Sequence, residues 1–253
     1  MLSALPASTN HPMPALPLPP PELRGLVGDT DSVEEYQGIG GAIAEMMKAL
    51  GLLAPGRRIL DVGCGCGRVA AHLLSSPIAS YQGFDRNPQL VNWASEHITR
   101  IDGRFRFQLV RVESPYDDFD GFRGIIPARD LSFPFANGMF DVALLSSVFT
   151  HMSIVDARRY LGELARVLTA SGQVLASWFL TGAAQGAVEG LGYRHSRREQ
   201  AEAISAAGFS ALSLTERGAE REAPENPPQH EWFLLHRAPA VESIVPTREE
   251  RSC

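Results

Sequence analysis

Cysteine is nearly absent from this sequence: among 253 residues only Cys64, Cys66 and Cys253 carry thiols. The first two stand two apart in a glycine-rich run, where a disulfide would be badly strained. A disulfide framework is therefore excluded, and a reducing, cytoplasmic setting is expected. Basic charge is also short. With 23 Lys and Arg against 29 Asp and Glu the net charge is -6, so no broad positive field exists to attract nucleic-acid phosphates. A small uncharged or cationic partner is expected, and no nucleic acid. Long apolar runs are missing too: residues 1–24 have neither the basic start nor the unbroken hydrophobic stretch of a signal peptide or membrane span, so no membrane partner is expected. His72, His97, His195, His230 and His236 lack the spacing of a metal site, and none is expected to hold one.

What is present suits a globular chain. Apolar residues make up 44% and charged residues 21%, close enough to average for a substantial core in one domain. Residues 1–21 hold seven prolines, which suit neither a helix nor a central strand. Residues 1–31 are read as a Pro-rich tail, 32–238 as the domain and 239–253 as a C-terminal tail. There is no internal repeat, and nothing in the sequence sets the oligomeric state.

Inside the domain the periodicity alternates. Ile39, Ile43, Met46, Met47 and Leu50 share one helical face that Gly51 ends. Arg58 to Val62 reads as a buried strand, followed by a glycine cluster and a helical pattern through Val69, Ala70, Leu73 and Leu74. Strands are expected at Ser80 to Phe84, Phe105 to Val110, Phe140 to Leu145 and Gln173 to Phe179, with helices centred near Ala94 and Leu161 between them. A helix over Ser196 to Ala207 precedes strands near Leu212 to Leu214 and Trp232 to Leu235. This alternation predicts an α/β fold, a doubly wound and mostly parallel sheet of seven strands with an antiparallel last strand. The interval from Val112 to Gly138, rich in Asp, Gly and Pro, reads as a long loop, functional or mobile, and a candidate lid or substrate wall.

The run Ile59-Leu60-Asp61-Val62-Gly63-Cys64-Gly65-Cys66-Gly67-Arg68 falls where the first strand turns into a helix. Alternating glycines let the backbone turn sharply and approach a ligand. Gly67-Arg68-Val69 is not the Gly-Lys-Ser/Thr ending of an NTPase loop, and Arg68 breaks the dinucleotide GxGxxG spacing. Asp85 should end the second strand, where a carboxylate can accept both hydroxyls of a ribose. Asp61, ending the first, would favour an ammonium group.

These two motifs resemble those of class I S-adenosylmethionine-dependent methyltransferases, and the likeness extends through Phe140 to Ser147 and Tyr160 to Gln173. The resemblance implies a methyl transfer to an oxygen or nitrogen of a small molecule such as a sugar, natural product or other metabolite, with S-adenosylmethionine as cofactor. It implies that Asp61, Gly63, Gly65 and Gly67 line the methionine and ribose portion, Asp85 the ribose, Arg86 the adenine edge and Ser146 the floor near the sulfonium. Glu113 is the stand-in for the acid that often receives the adenine amino group after the third strand. Tyr36 in the leading helix either closes over the methionine end or packs in the core. His151, just beyond the fourth strand, is the candidate general base; otherwise it orders its loop. Glu113, Asp117, Asp118 and Asp120 make the long loop acidic, either to attract an amine or as a solvated run. The competing readings are a nicotinamide-dependent oxidoreductase and a non-catalytic module that only binds the cofactor.

Overall fold

A computed structural model describes residues 16–28, 32–118, 120–181, 188–189, 192–214 and 229–237. The expected C-terminal tail and residues 1–15 of the expected N-terminal tail lie outside them. Six helices are described: α1 Pro21–Gly25, α2 Val33–Ala49, α3 Arg68–His72, α4 Pro88–His97, α5 Ile154–Val167 and α6 Arg197–Ala206. The main strands are β1 Arg58–Val62, β2 Ser80–Asp85, β3 Phe105–Leu109, β4 Phe140–Leu145, β5 Leu168–Thr181, β6 Phe209–Ser213 and β7 Gln229–Arg237.

The sheet order is β3-β2-β1-β4-β5-β7-β6. Neighbours from β3 to β5 run parallel, while β7 lies antiparallel to both β5 and β6. This matches the expected doubly wound sheet. A two-residue strand, His195–Ser196, also pairs with the far end of β5, and a small separate hairpin joins Val188–Glu189 to Gly192–Tyr193.

Alternation along β1 shows how the layers form. Leu60 and Val62 face one core with α5 and α6, whereas Ile59 faces the other with α2, α3 and α4. Successive strand side chains point to opposite faces, so a strand covered on both sides is apolar throughout. Helix starts are set by side-chain oxygens: Ser32, Asn87, Ser153 and Ser196 each accept from a backbone N–H in the first turn of α2, α4, α5 and α6. Each such cap satisfies a donor that the helix itself cannot.

Three expectations change. Pro21 to Gly25 is a helix, because proline at the first helical position needs no N–H partner; the tail boundary at residue 31 is therefore too late. β5 begins at Leu168, ahead of the expected Gln173, and carries a bulge there: pairing with β4 jumps from Phe140 and Leu168 to Val142 and Gln173. The long loop is partly ordered, with a parallel bridge between Val112 and Ile126 and short helical turns at Pro115–Asp118 and Ala128–Asp130.

β1 is flanked by β2 on one side and β4 on the other, so consecutive connections leave it in opposite directions. That divergence opens a crevice beyond the strand ends, where ligands bind in folds of this type.

Candidate active site

A cavity of about 640 Å³ occupies the crevice. Asp61, Gly63 and Gly65 enter it from the end of β1, Asp85 and Arg86 from β2, and Ser146 and His151 from the segment after β4. Leu26, Val27 and Gly28, just after α1, form one wall.

The glycine loop has the shape its sequence demands. Gly63, Gly65 and Gly67 have φ of 71°, 53° and 76°, a left-handed backbone that side chains disfavour. There is no room for side chains either: a Cβ on Gly63 would lie 2.7 Å from Val148, one on Gly65 2.7 Å from Val27, and one on Gly67 would strike Ile98. Gly67 thus turns toward the core and does not line the cavity, unlike Gly63 and Gly65.

Asp85 braces the loop. One carboxylate oxygen accepts from the Gly65 N–H at 2.9 Å and the other from the Asn87 N–H at 2.9 Å, which leaves each oxygen a further lone pair for a hydroxyl. Burial pushes its carboxyl above the usual range, against the pull of those N–H groups. Asp61 is only 3% exposed and accepts from the Tyr81 hydroxyl. Burial lifts its pKa to about 7, despite the Tyr81 hydrogen bond. Two carboxylates held out of water in one crevice favour a ligand with hydroxyls and positive charge.

The opposite wall holds the candidate base. His151 follows β4 in a short helical turn, and its Nε2 lies 3.1 Å from the Tyr116 hydroxyl. The two rings meet edge to face with centroids 5.0 Å apart. Ser147, between β4 and that turn, has φ of 58°; its N–H donates to Ser177 at 2.8 Å. A non-glycine residue held there is strained, a feature that concentrates at functional sites.

Of two residues with expected roles, Tyr36 takes the core alternative and Arg86 departs from its expected role. Tyr36 is 3% exposed and does not line the cavity; its hydroxyl is hydrogen-bonded to the Cys66 thiol at 3.1 Å. It packs under the glycine loop, where α2 meets α3. Arg86 borders the cavity, but its guanidinium donates to Asp117, Asp120 and the Phe122 and Val112 carbonyls. The stretch after β3 brings two acids within reach of the guanidinium, and they claim it before an adenine edge can. Asp117 and Asp120 are accordingly ion-paired, neither solvated nor free to attract an amine. Glu113 and Ser146 both line the cavity.

Sequence reasoning missed Tyr116, Asn87, Tyr160 and the segment after α1. Asn87 carried a legible signal, a polar cap directly after Asp85 and before Pro88. Tyr116 and Val27 carried none, since long-range packing brings them to the site.

Residues 60–176 match the family model described as methyltransferase domain. The matched region, a little under half of the chain, is similar to methyltransferase domains. An O-methyltransferase from Pyrenophora dematioidea is 29% identical over 117 residues, which cover 46% of this chain and 36% of that protein. The chain thus aligns with about a third of that relative's length. Among solved structures, the 1,6-didemethyltoxoflavin-N1-methyltransferase of Burkholderia thailandensis, bound to 1,6-didemethyltoxoflavin and S-adenosylhomocysteine, aligns with a TM-score of 0.54 at 20% identity, over 88% of this chain and 92% of that one. The [4+2]-cyclase SpnF aligns with a TM-score of 0.53 at 22% identity, over 70% of this chain and 60% of that one. At these identities the likeness concerns the fold, and a shared fold does not carry a shared reaction.

The methyltransferase class takes S-adenosylmethionine as methyl donor, and the residues of this cavity fit it. Side-chain-free Gly63 and Gly65 let the ligand approach the backbone, Asp85 keeps lone pairs for ribose hydroxyls, and the buried Asp61 calls for a cation. No helix among the described residues is long and apolar enough to cross a membrane.

Proposed function

We propose that the protein is an S-adenosylmethionine-dependent methyltransferase acting on an oxygen or nitrogen of a small molecule. The observation that carries this reading is that His151 and Tyr116 share one cavity with Asp61, Asp85 and the glycine loop. When bound, the cofactor supplies an electrophilic methyl group on a sulfonium. The protein's part is to align an acceptor with it and exclude water.

Asp85 orients the ribose through its free lone pairs, and Asp61 the ammonium. Gly63 and Gly65 would let the methionine and ribose portion of the ligand approach the backbone. His151 serves as the general base, its imidazole taking the acceptor's proton as the methyl arrives, while the Tyr116 hydroxyl beside it orders the ring. Tyr116, Met152 and Tyr193 line the same cavity of about 640 Å³, a size that supports a small acceptor. The names of the relatives support both acceptor atoms, one being an O-methyltransferase and one an N1-methyltransferase. The free thiols of Cys64 and Cys66 support a reducing, cytoplasmic location.

Calorimetry with S-adenosylmethionine and S-adenosylhomocysteine, with NAD as control, tests the binding half. Binding of the first two and silence with NAD is expected; a signal with NAD alone revives the oxidoreductase. Transfer of labelled methyl to a panel of phenols, sugars and heterocyclic amines tests the rest. No turnover on any of them alongside tight binding favours the non-catalytic module.

A further inference from the structure

The turn that carries His151 is weakly held by its own backbone. The His151 N–H reaches the Val148 carbonyl at 3.0 Å, but the Met152 N–H lies 3.5 Å from the Phe149 oxygen, at the outer limit of a hydrogen bond. The turn also starts from Ser147, whose φ of 58° is a disfavoured backbone for a non-glycine residue. A general base needs a fixed ring, so this turn has to be fixed from outside.

Two ties come from β5. Ser177 accepts from the Ser147 N–H at 2.8 Å, and the Trp178 ring stacks on Phe149 with centroids 4.2 Å apart. They hold the entry and the middle of the turn, and His195 holds the exit. The strand His195–Ser196 pairs with the end of β5 at Leu180 and Thr181. That pairing brings the His195 ring edge-on to Trp178, with centroids 5.3 Å apart, and its Nε2 to 3.0 Å from the Met152 carbonyl oxygen. His195 is 2% exposed. A leucine or methionine would fill such a site without burying a polar ring, so packing against Trp178 does not by itself explain an imidazole. Burial pushes its pKa below the ordinary value, against hydrogen bonds to the Met152 and Phe149 backbone. The ring is therefore neutral near pH 7, and because a carbonyl only accepts, Nε2 carries the proton.

We infer that His195 is a positioning residue for His151, its Nε2–H tying down the exit of the helical turn that presents the base. The inference deepens the proposed function and rests on it for the role of His151. His195 does not line the cavity, so it takes no part in the proton transfer itself. Its segment nevertheless reaches the acceptor's end: Tyr193, two residues earlier, lines the cavity together with His151 and Met152. An acceptor packed on Tyr193 thus meets the same short stretch of chain that steadies the base.

The test reads the His151 ring directly. NMR of the ligand-free parent should show contacts between the His151 and Tyr116 rings, and His195 as the neutral Nε2–H tautomer near pH 7. His195→Gln carries an amide N–H to the place of Nε2, whereas the amide of His195→Asn stops near the place of Nδ1. His195→Gln should keep the contacts between the two rings and His195→Asn should lose them, with S-adenosylhomocysteine affinity unchanged in both. On an accepted substrate His195→Asn should lower kcat by about 10²-fold, the cost of a misplacement of about 1 Å, and leave KM unchanged; His195→Gln should restore most of the rate. Ring contacts retained in His195→Asn, or two variants that behave alike, overturn the inference and reduce His195 to packing. A parent in which His195 is the Nδ1–H tautomer overturns it without any variant, so the test stands even where a variant fails to fold. A parent that binds neither S-adenosylmethionine nor S-adenosylhomocysteine overturns the function reading instead, and the ring contacts still decide what His195 holds.

Discussion

Replacing Asp61 by Asn isolates what its buried charge does. The amide keeps an oxygen for the Tyr81 hydroxyl and removes the charge. Burial raises the Asp61 pKa from 3.8 to about 7. Between those values the folded protein holds a proton that the unfolded chain has released, so stability is highest below pH ~4 and is lost as pH rises through ~7. A tenfold difference in proton affinity between the folded and unfolded chain is worth ~1.36 kcal/mol. The carboxylate thus lowers stability, relative to a neutral group, by roughly 2 kcal/mol at pH 5 and roughly 4 kcal/mol at pH 8. The amide escapes this. Thermal denaturation without ligand should show Asp61→Asn more stable than the parent by about 4–8 °C at pH 5 and about 8–16 °C at pH 8, using the ~2–4 °C per kcal/mol of a domain of this size. Binding moves the other way: without the charge that meets the ammonium, S-adenosylhomocysteine should bind at least about tenfold more weakly at pH 8. A variant no more stable than its parent at pH 8, or with the same margin at both pH values, would refute the reasoning.

The same proton makes ligand binding pH-dependent. An ammonium requires the ionised Asp61, so S-adenosylhomocysteine affinity for the parent should strengthen as pH rises from 5.5 toward 7.5 and level off above it; a flat profile by calorimetry contradicts the assignment. His151→Ala should spare cofactor binding and reduce turnover by about 10²–10⁴-fold, the range for a general base, and full activity removes it from that role. Tyr116→Phe keeps the edge-on ring and deletes the hydroxyl. It should shift the pH profile of turnover without changing S-adenosylhomocysteine affinity, and an unmoved profile leaves Tyr116 as packing only. Arg86→Met removes the ion-pair partner of Asp117 and Asp120, which keep backbone donors, a loss of about 1.5–3 kcal/mol for hydrogen bonds to charged groups; chemical denaturation measures it, and unchanged stability shows that the cluster is not holding the loop.

The sequence announces strands better than it announces what lies over them. β1, β2 and β4 are legible because burial on both faces makes their apolar character continuous, and Asp61 and Asp85 break it only at the strand ends. The glycine loop is legible because left-handed backbone excludes almost every other residue. Arg86 misleads for a physical reason: adjacency to Asp85 suggests a shared ligand, but charge pairing across 31 and 34 positions, to Asp117 and Asp120, decides where its guanidinium goes. Tyr36 misleads similarly, since the same helical position serves a cavity wall or a core, and contact with Cys66 selects the core. The segment after α1 reads as tail because proline counts carry no information about tertiary contact, yet Val27 rests on Gly65.

Asp61, Asp85 and Arg68 show a common arrangement, charged groups withdrawn from water around a shared cavity with incomplete compensation from the protein. Burial raises the pKa of both acids and lowers that of the arginine. Stability and ligand affinity are therefore coupled: each charge that destabilises the free protein is one that the ligand neutralises. Ligand binding should raise the midpoint of unfolding by more at pH 8 than at pH 5, because the ionised Asp61 contributes its largest destabilisation there.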